Sequence, residues 1–102
     1  MNKKREYLDY NDFLNDDLKD SQEAIAYLKE ALQDEDERVF LLALKHVIDA
    51  QGENISQLAK DADLNRENLY KVFSKRGNPK WGTINSILRV IGLELTVQPY
   101  KK

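Results

Sequence analysis

A chain of 102 residues, 41% apolar and 33% charged, is enough for one compact domain, and no apolar run in it is long enough to span a bilayer. It contains no cysteine, which excludes disulfides, thiolate metal sites and a cysteine nucleophile and leaves the fold to rest on burial alone. The net charge of −2 conceals an asymmetry: residues 1–37 hold five cations against twelve acids, net −7, whereas the remainder holds eleven cations against six acids, net +5. Field at a binding face depends on charge within about a Debye length, roughly 8–10 Å at ordinary salt, so the split matters more than the total. The start, Met1 to Glu6, has no apolar run behind it; no secretory leader is expected, and the chain is assigned to the cytoplasm.

Residues 1–18 read as an acidic, partly ordered N-terminal arm in which Tyr7, Leu8, Tyr10, Phe13 and Leu14 dock on some other surface. Residues 19–102 form the folded domain. Asp20 with Glu23 makes a capping-box start, and Ala24, Ile25, Leu28, Ala31 and Leu32 follow helical spacing, so a first helix is predicted over about Ser21 to Gln33. The acidic run Asp34 to Glu37 reads as a solvated link whose carboxylates favour the start of the next helix. From Val39 to Leu44, and on through Val47, Ile48 and Ala50, the chain is nearly apolar all round, which predicts a central buried helix over about Glu37 to Gln51, stopped by Gly52. His46 lies on it without a second metal-ligand partner and reads as a structural, partly exposed residue.

Asn54 with Gln57 is a second capping pair, and Ile55, Leu58, Ala59 and Ala62 make a single apolar face. Ala59 suits a steep, close helix crossing that leaves no room for a larger side chain. After a short turn Asn65 can cap another helix with Leu69, Val72 and Phe73 inward, ended by Gly77, Asn78 and Pro79. Trp81 is expected to pack against Phe73 and the last helix. Thr83 can cap that helix, about Thr83 to Val90, with Ile84, Ile87, Leu88 and Ile91 inward and Gly92 as its stop. Leu93 to Pro99 alternates apolar and polar, a strand pattern, which needs a partner from the arm or from a second subunit.

Two short helices joined by a tight turn, Ile55 to Ser74, have helix-turn-helix spacing, and the second can enter a DNA major groove. With Leu69, Val72 and Phe73 inward, Glu67, Tyr70, Lys71 and Ser74 turn outward, and Asn65, Arg66 and Asn68 lie toward the leading end. Arginine and asparagine can make bidentate contacts to guanine and adenine edges, respectively. Lys75, Arg76, Asn78 and Lys80 form a basic loop suited to phosphate, and Ser56 and Gln57 can reach phosphate from the start of the preceding helix. Glu67 has to accept from cytosine or pair with a neighbour such as Lys71. No metal constellation, Cys/His pairing or glycine-rich phosphate loop is present, so neither an enzyme nor a cofactor is expected.

Several separated blocks resemble one family. Ala26 to Leu32, Leu42 to Lys45, Asn65 to Tyr70, Ser74 to Pro79 and Gly92 to Val97 are similar, in order, to the helix-turn-helix antitoxins of bacterial addiction modules, the HigA-like antidote group, over about residues 9–98. The resemblance implies an all-α, five-helix lambda-repressor-like domain with a short C-terminal β-strand. It also implies an antidote that blocks a small basic toxin, often of the RelE/ParE type, and represses its own operon by binding double-stranded operator DNA as a homodimer. The chain departs from the family where the turn slot often filled by glycine holds Asp63, and near the central helix, where it reads Gly52, Glu53, Asn54. The alternative is a prophage or host transcriptional regulator with no toxin partner; a small basic protein encoded alongside would favour the antidote. Another reading makes the chain mainly a protein inhibitor whose acidic first third covers the basic face of a ribonuclease-like toxin.

Overall fold

The computed structural model describes residues 18–100 and is all-helical over that span. Five helices follow in chain order: α1 (Ser21–Ala31), α2 (Glu37–Ala50), α3 (Ile55–Asp61), α4 (Arg66–Val72) and α5 (Trp81–Val90). Most of the expected arm, residues 1–17 with its aromatic residues, lies outside the described residues.

Short polar side chains start four of the helices by accepting otherwise orphaned amide protons. Asp20 accepts from the Gln22 amide, Asp36 from Arg38, Asn54 from Gln57, and Asn65 from both Glu67 and Asn68. Three helices end in one shared way. Beyond α2 the Gly52 amide donates to Asp49 and the Glu53 amide to Ile48; beyond α5 the Gly92 amide donates to Arg89 and the Leu93 amide to Leu88. Beyond α3 the same pair of bonds forms around Asp63, which takes a left-handed φ of 55° where the other two positions are glycines at 83° and 79°. The paired bonds satisfy the last carbonyls and turn the chain sharply.

The helices enclose one core. Leu28 of α1, Leu44, Val47 and Ile48 of α2, Leu58 of α3, Leu69 of α4 and Ile87 of α5 are all buried, and Leu18 is buried with them. α1 packs on α2, while α3 packs on both α4 and α5. The Gln51 amide side chain ties the end of α2 to the chain before α1 by donating to the Leu18 carbonyl at 3.0 Å. His46 is half-buried and hydrogen-bonds the Tyr27 hydroxyl through Nδ1 at 2.8 Å, joining α2 to α1, the structural role its isolation suggested.

Several expectations are corrected. α1 ends at Ala31, and Leu32, expected inward, is exposed. Val39 and Leu42 of α2 were expected in the core but are 37% and 59% exposed, because no described element lies over that side of the helix. α5 begins at Trp81, before the expected Thr83 cap, and its N-cap Lys80 makes no side-chain capping bond. Trp81 is 68% exposed instead of packed: it occupies the first position of the helix, past the edge of the core. No β-strand forms among the described residues. The alternation of Leu93 to Pro99 has another cause over its first half: Leu93 and Leu95 pack against the core while Glu94 and Thr96 face solvent, and the Leu95 amide donates to Asn85 Oδ1 at 3.2 Å; Val97, the next apolar position, is 90% exposed. Period-two patterning marks an extended segment with one covered face, and a helix surface covers it as well as a neighbouring strand would.

Candidate nucleic-acid interface

The helix-turn-helix geometry rests on a small set of buried contacts. Leu58 and Ala59 of α3 and Leu69 and Val72 of α4 are buried. Ala59 is buried in α3, the helix that packs on both α4 and α5. Between the helices, the Leu64 amide donates to the Ala59 carbonyl at 2.8 Å and the half-buried Leu64 side chain packs against the core. Asn65 then starts α4 with its side-chain oxygen held by two backbone amides. Phe73, expected inward, is half-buried against the core.

Anchoring α4 through Leu69 and Val72 leaves its other side in solvent. Arg66, Glu67, Asn68, Tyr70 and Lys71 are all exposed, as are Asn65 before the helix and Ser74, Lys75, Arg76, Asn78 and Lys80 after it. From Arg66 to Lys80 the chain carries five cations and one carboxylate, Glu67. The Arg66 guanidinium lies 5.7 Å from the centroid of the Tyr70 ring and approaches the Tyr70 hydroxyl at 3.4 Å. The negative face of the ring attracts the cation, which favours this placement of the guanidinium and leaves its charge intact. Glu67 and Lys71 form no ion pair, so the intrahelical route for the carboxylate is not used.

The loop after α4 is shaped by its own backbone. Ser74 Oγ donates to the Lys71 carbonyl at 2.7 Å and the Gly77 amide donates to the Ser74 carbonyl at 3.0 Å. Gly77 sits so close under the end of α4 that a Cβ there would overlap the carbonyl oxygens of Lys71 and Val72. This close approach holds the turn that carries Lys75 and Arg76 tightly against the end of α4.

At the start of α3, Ser56 and Gln57 are exposed. Gln57 has less freedom than its sequence position suggested: its amide donates to Asn54 Oδ1 at 2.8 Å, and its side chain, expected to complete a capping pair, donates instead to Asp61 Oδ1 at 2.9 Å. Ser56 is the freer of the two. Trp81 was missed as a surface group. Its neighbour Lys80 belongs to the basic loop, and the signal that could have found it is Pro79, which cannot continue a helix but readily precedes one.

The thirteen positions Ser56, Gln57, Asn65, Arg66, Glu67, Asn68, Tyr70, Lys71, Ser74, Lys75, Arg76, Asn78 and Lys80 therefore share exposure on the helix-turn-helix and its following loop. Comparison with known proteins gives the lineage. The family model described as "probable addiction module antidote protein" matches residues 6–99. The chain belongs to that family. It is also 37% identical over 81 residues to an uncharacterized protein of Haemophilus influenzae, covering 79% of this chain and 81% of that protein. No solved structure matches. Membership in an antidote family brings a toxin partner with it, and no helix among the described residues is long and apolar enough to cross a membrane.

Proposed function

We propose that this antidote-family protein is a cytoplasmic antitoxin that binds operator DNA through α3 and α4, represses its own operon as a homodimer, and neutralises a small basic toxin of the RelE/ParE type. The observation that carries the DNA role is the orientation of α4. Leu69 and Val72 are buried, which leaves Arg66, Asn68, Tyr70 and Lys71 on a free face continuous in sequence with Lys75, Arg76 and Lys80. A helix so mounted fits a major groove about 12 Å wide, with its leading residues at base edges and the basic loop on phosphate. Asn65, Arg66, Asn68 and Lys71 are assigned to bases, Glu67 to a cytosine amine, and Tyr70 to a base or phosphate. Ser56, Gln57, Ser74, Lys75, Arg76, Asn78 and Lys80 are assigned to the backbone. Backbone contacts set register and salt dependence; base contacts set sequence preference.

A gel-shift titration on the DNA upstream of the chain's own reading frame tests this. Arg66→Ala and Lys71→Ala should each weaken binding by about 1–3 kcal/mol and relax sequence preference. Lys75→Ala should weaken binding to all sequences alike and lower the salt slope by about one unit. If the Arg66→Ala/Lys71→Ala double variant binds that DNA as the parent does, α4 is not the reading helix.

A further inference from the structure

Val39 and Leu42 stand one turn apart on α2 and are the exposed apolar residues of that helix. They form a crest between two clefts. On one side lies an open groove of about 550 Å³ between α1 and α2, with Ala31 and Ala43 among its lining and Tyr27, Glu30 and Asp34 at its edge. On the other side, a cleft of about 390 Å³ runs from the crest to Phe73 and carries three cations, Arg38, Lys45 and Lys75, against one carboxylate, Asp36. The crest sorts charge. The α1 side presents Glu30 and Asp34 with no cation among its lining residues, and the stretch from Glu30 to Glu37 holds five carboxylates and no cation. Arg38, the first cation after it, is bound to Asp36 through two side-chain hydrogen bonds of 3.2 and 3.0 Å.

Exposed apolar side chains flanked by unpaired like charges are costly to leave in water together, and both costs fall when a partner of opposite charge covers them. From this we infer that the groove between α1 and α2 is the seat of the toxin. The occupant is an amphipathic segment of the basic partner that lays apolar side chains over Val39 and Leu42 and sets lysine or arginine over Glu30 and Asp34. This is the helix-in-groove mode of recognition, in which apolar anchors give affinity and the charged rim gives speed of association. The inference rests on the antitoxin reading and adds to it the surface. It separates the two partners by polarity: the acidic groove takes protein and the basic face of α4 takes DNA.

The probe is the protein encoded in the reading frame beside this chain's own, purified and titrated against the full chain. Two variants are compared with the parent. Val39→Thr/Leu42→Gln keeps size and removes apolar surface; Glu30→Gln/Asp34→Asn keeps shape and the Asp34 side-chain oxygen that accepts from the Asp36 amide, and removes charge. The first should weaken the complex at least about tenfold and abolish growth rescue, with operator affinity unchanged. The second should slow association about tenfold at low salt and flatten its salt dependence. Should the first variant misfold by circular dichroism, the second decides alone. If the parent binds the neighbouring protein and both variants bind it equally well, the toxin sits elsewhere and the antitoxin reading stands. If the parent does not bind it, both fall. Loss of self-association in the first variant with toxin binding intact assigns the groove to a second copy and overturns the proposal. Contacts from residues 1–17 to Leu42 in spectra of the full chain alone assign it to the chain's own arm, with the same consequence.

Discussion

The Leu64 amide donates to the Ala59 carbonyl at 2.8 Å, and this bond closes the helix-turn-helix around Asp63 at a φ of 55°. The same closure after α2 and α5 uses glycine, at φ values of 83° and 79°. A left-handed non-glycine residue costs about 1–2 kcal/mol, and glycine returns part of that gain through the larger entropy of its unfolded chain. Asp63→Gly should therefore stabilise the domain by about 0.5–1 kcal/mol and raise its melting midpoint by several degrees, read by thermal unfolding. A fall in stability would mean that the Asp63 side chain contributes more than its backbone conformation costs.

Gly77 makes the opposite demand. Its φ is not left-handed, but a Cβ would overlap the Lys71 and Val72 carbonyl oxygens, and those atoms belong to the rigid end of α4. Gly77→Ala should cost about 2 kcal/mol, within the range for overpacking a closed contact. Because the loop that moves carries Lys75 and Arg76, operator affinity should fall with stability. Denaturant unfolding and a gel shift on the same preparation check both. An Ala variant as stable as the parent would show that the loop can leave α4 freely.

What the sequence revealed of this fold lay in its punctuation and its buried periodicity. Asp20, Asn54 and Asn65 act at short range as caps, and Gly52 and Gly92 as stops; each was readable because its effect depends on residues within one turn. Leu28, Leu58, Leu69 and Ile87 were readable because they fall on the apolar face of their helices, and Leu44 because its helix is apolar nearly all round. Val39, Leu42 and Trp81 were not, because their burial depends on which other element reaches them, and local apolarity carries no information on that. Leu93 and Leu95 misled for the same reason: alternation reports an extended chain with one covered side, and only the fold shows that the cover is the core beside α5. Within the candidate site, the exposed side of α4 followed from Leu69, Val72 and Phe73, whereas the engagement of Gln57 with Asp61 and of Arg66 with Tyr70 required coordinates.

The Asp36–Arg38 pair gives a pH dependence with a definite sign. The side-chain hydrogen bond from Arg38, with the Arg38 amide behind it, holds the Asp36 carboxyl below its ordinary value of 3.8. A carboxyl whose folded value lies below its unfolded one favours folding while ionised: its contribution is complete above 3.8 and is lost as pH falls through the lower folded value. Arg38 stays charged throughout. Asp36→Asn keeps the capping oxygen and removes the charge, so the stability difference between parent and variant should be constant near neutrality and shrink as pH drops below 3.8. The pair lies at the surface, so the effect should be small and weaken with salt. A difference that stays flat through the acid range would show that Asp36 acts only as a cap.

Asn65 has two separable tasks. Its side-chain oxygen accepts from the Glu67 amide at 2.8 Å and the Asn68 amide at 3.4 Å, so only its amide nitrogen is left for an adenine edge. α4 has seven residues, too few to be helical alone, and depends on this cap and on Leu69. Asn65→Ala should cost about 1 kcal/mol of stability and weaken operator binding as well. Asn65→Asp keeps the acceptor and adds favourable charge at the positive end of the helix, so stability should hold or rise by a few tenths of a kcal/mol. It removes the donor and adds a negative charge facing phosphate, so operator affinity should still fall by roughly 1–3 kcal/mol. Paired thermal melts and gel shifts on the two variants separate the tasks. An Asp variant that binds operator as the parent does would leave Asn65 as a cap alone and move base reading to Arg66, Asn68 and Lys71.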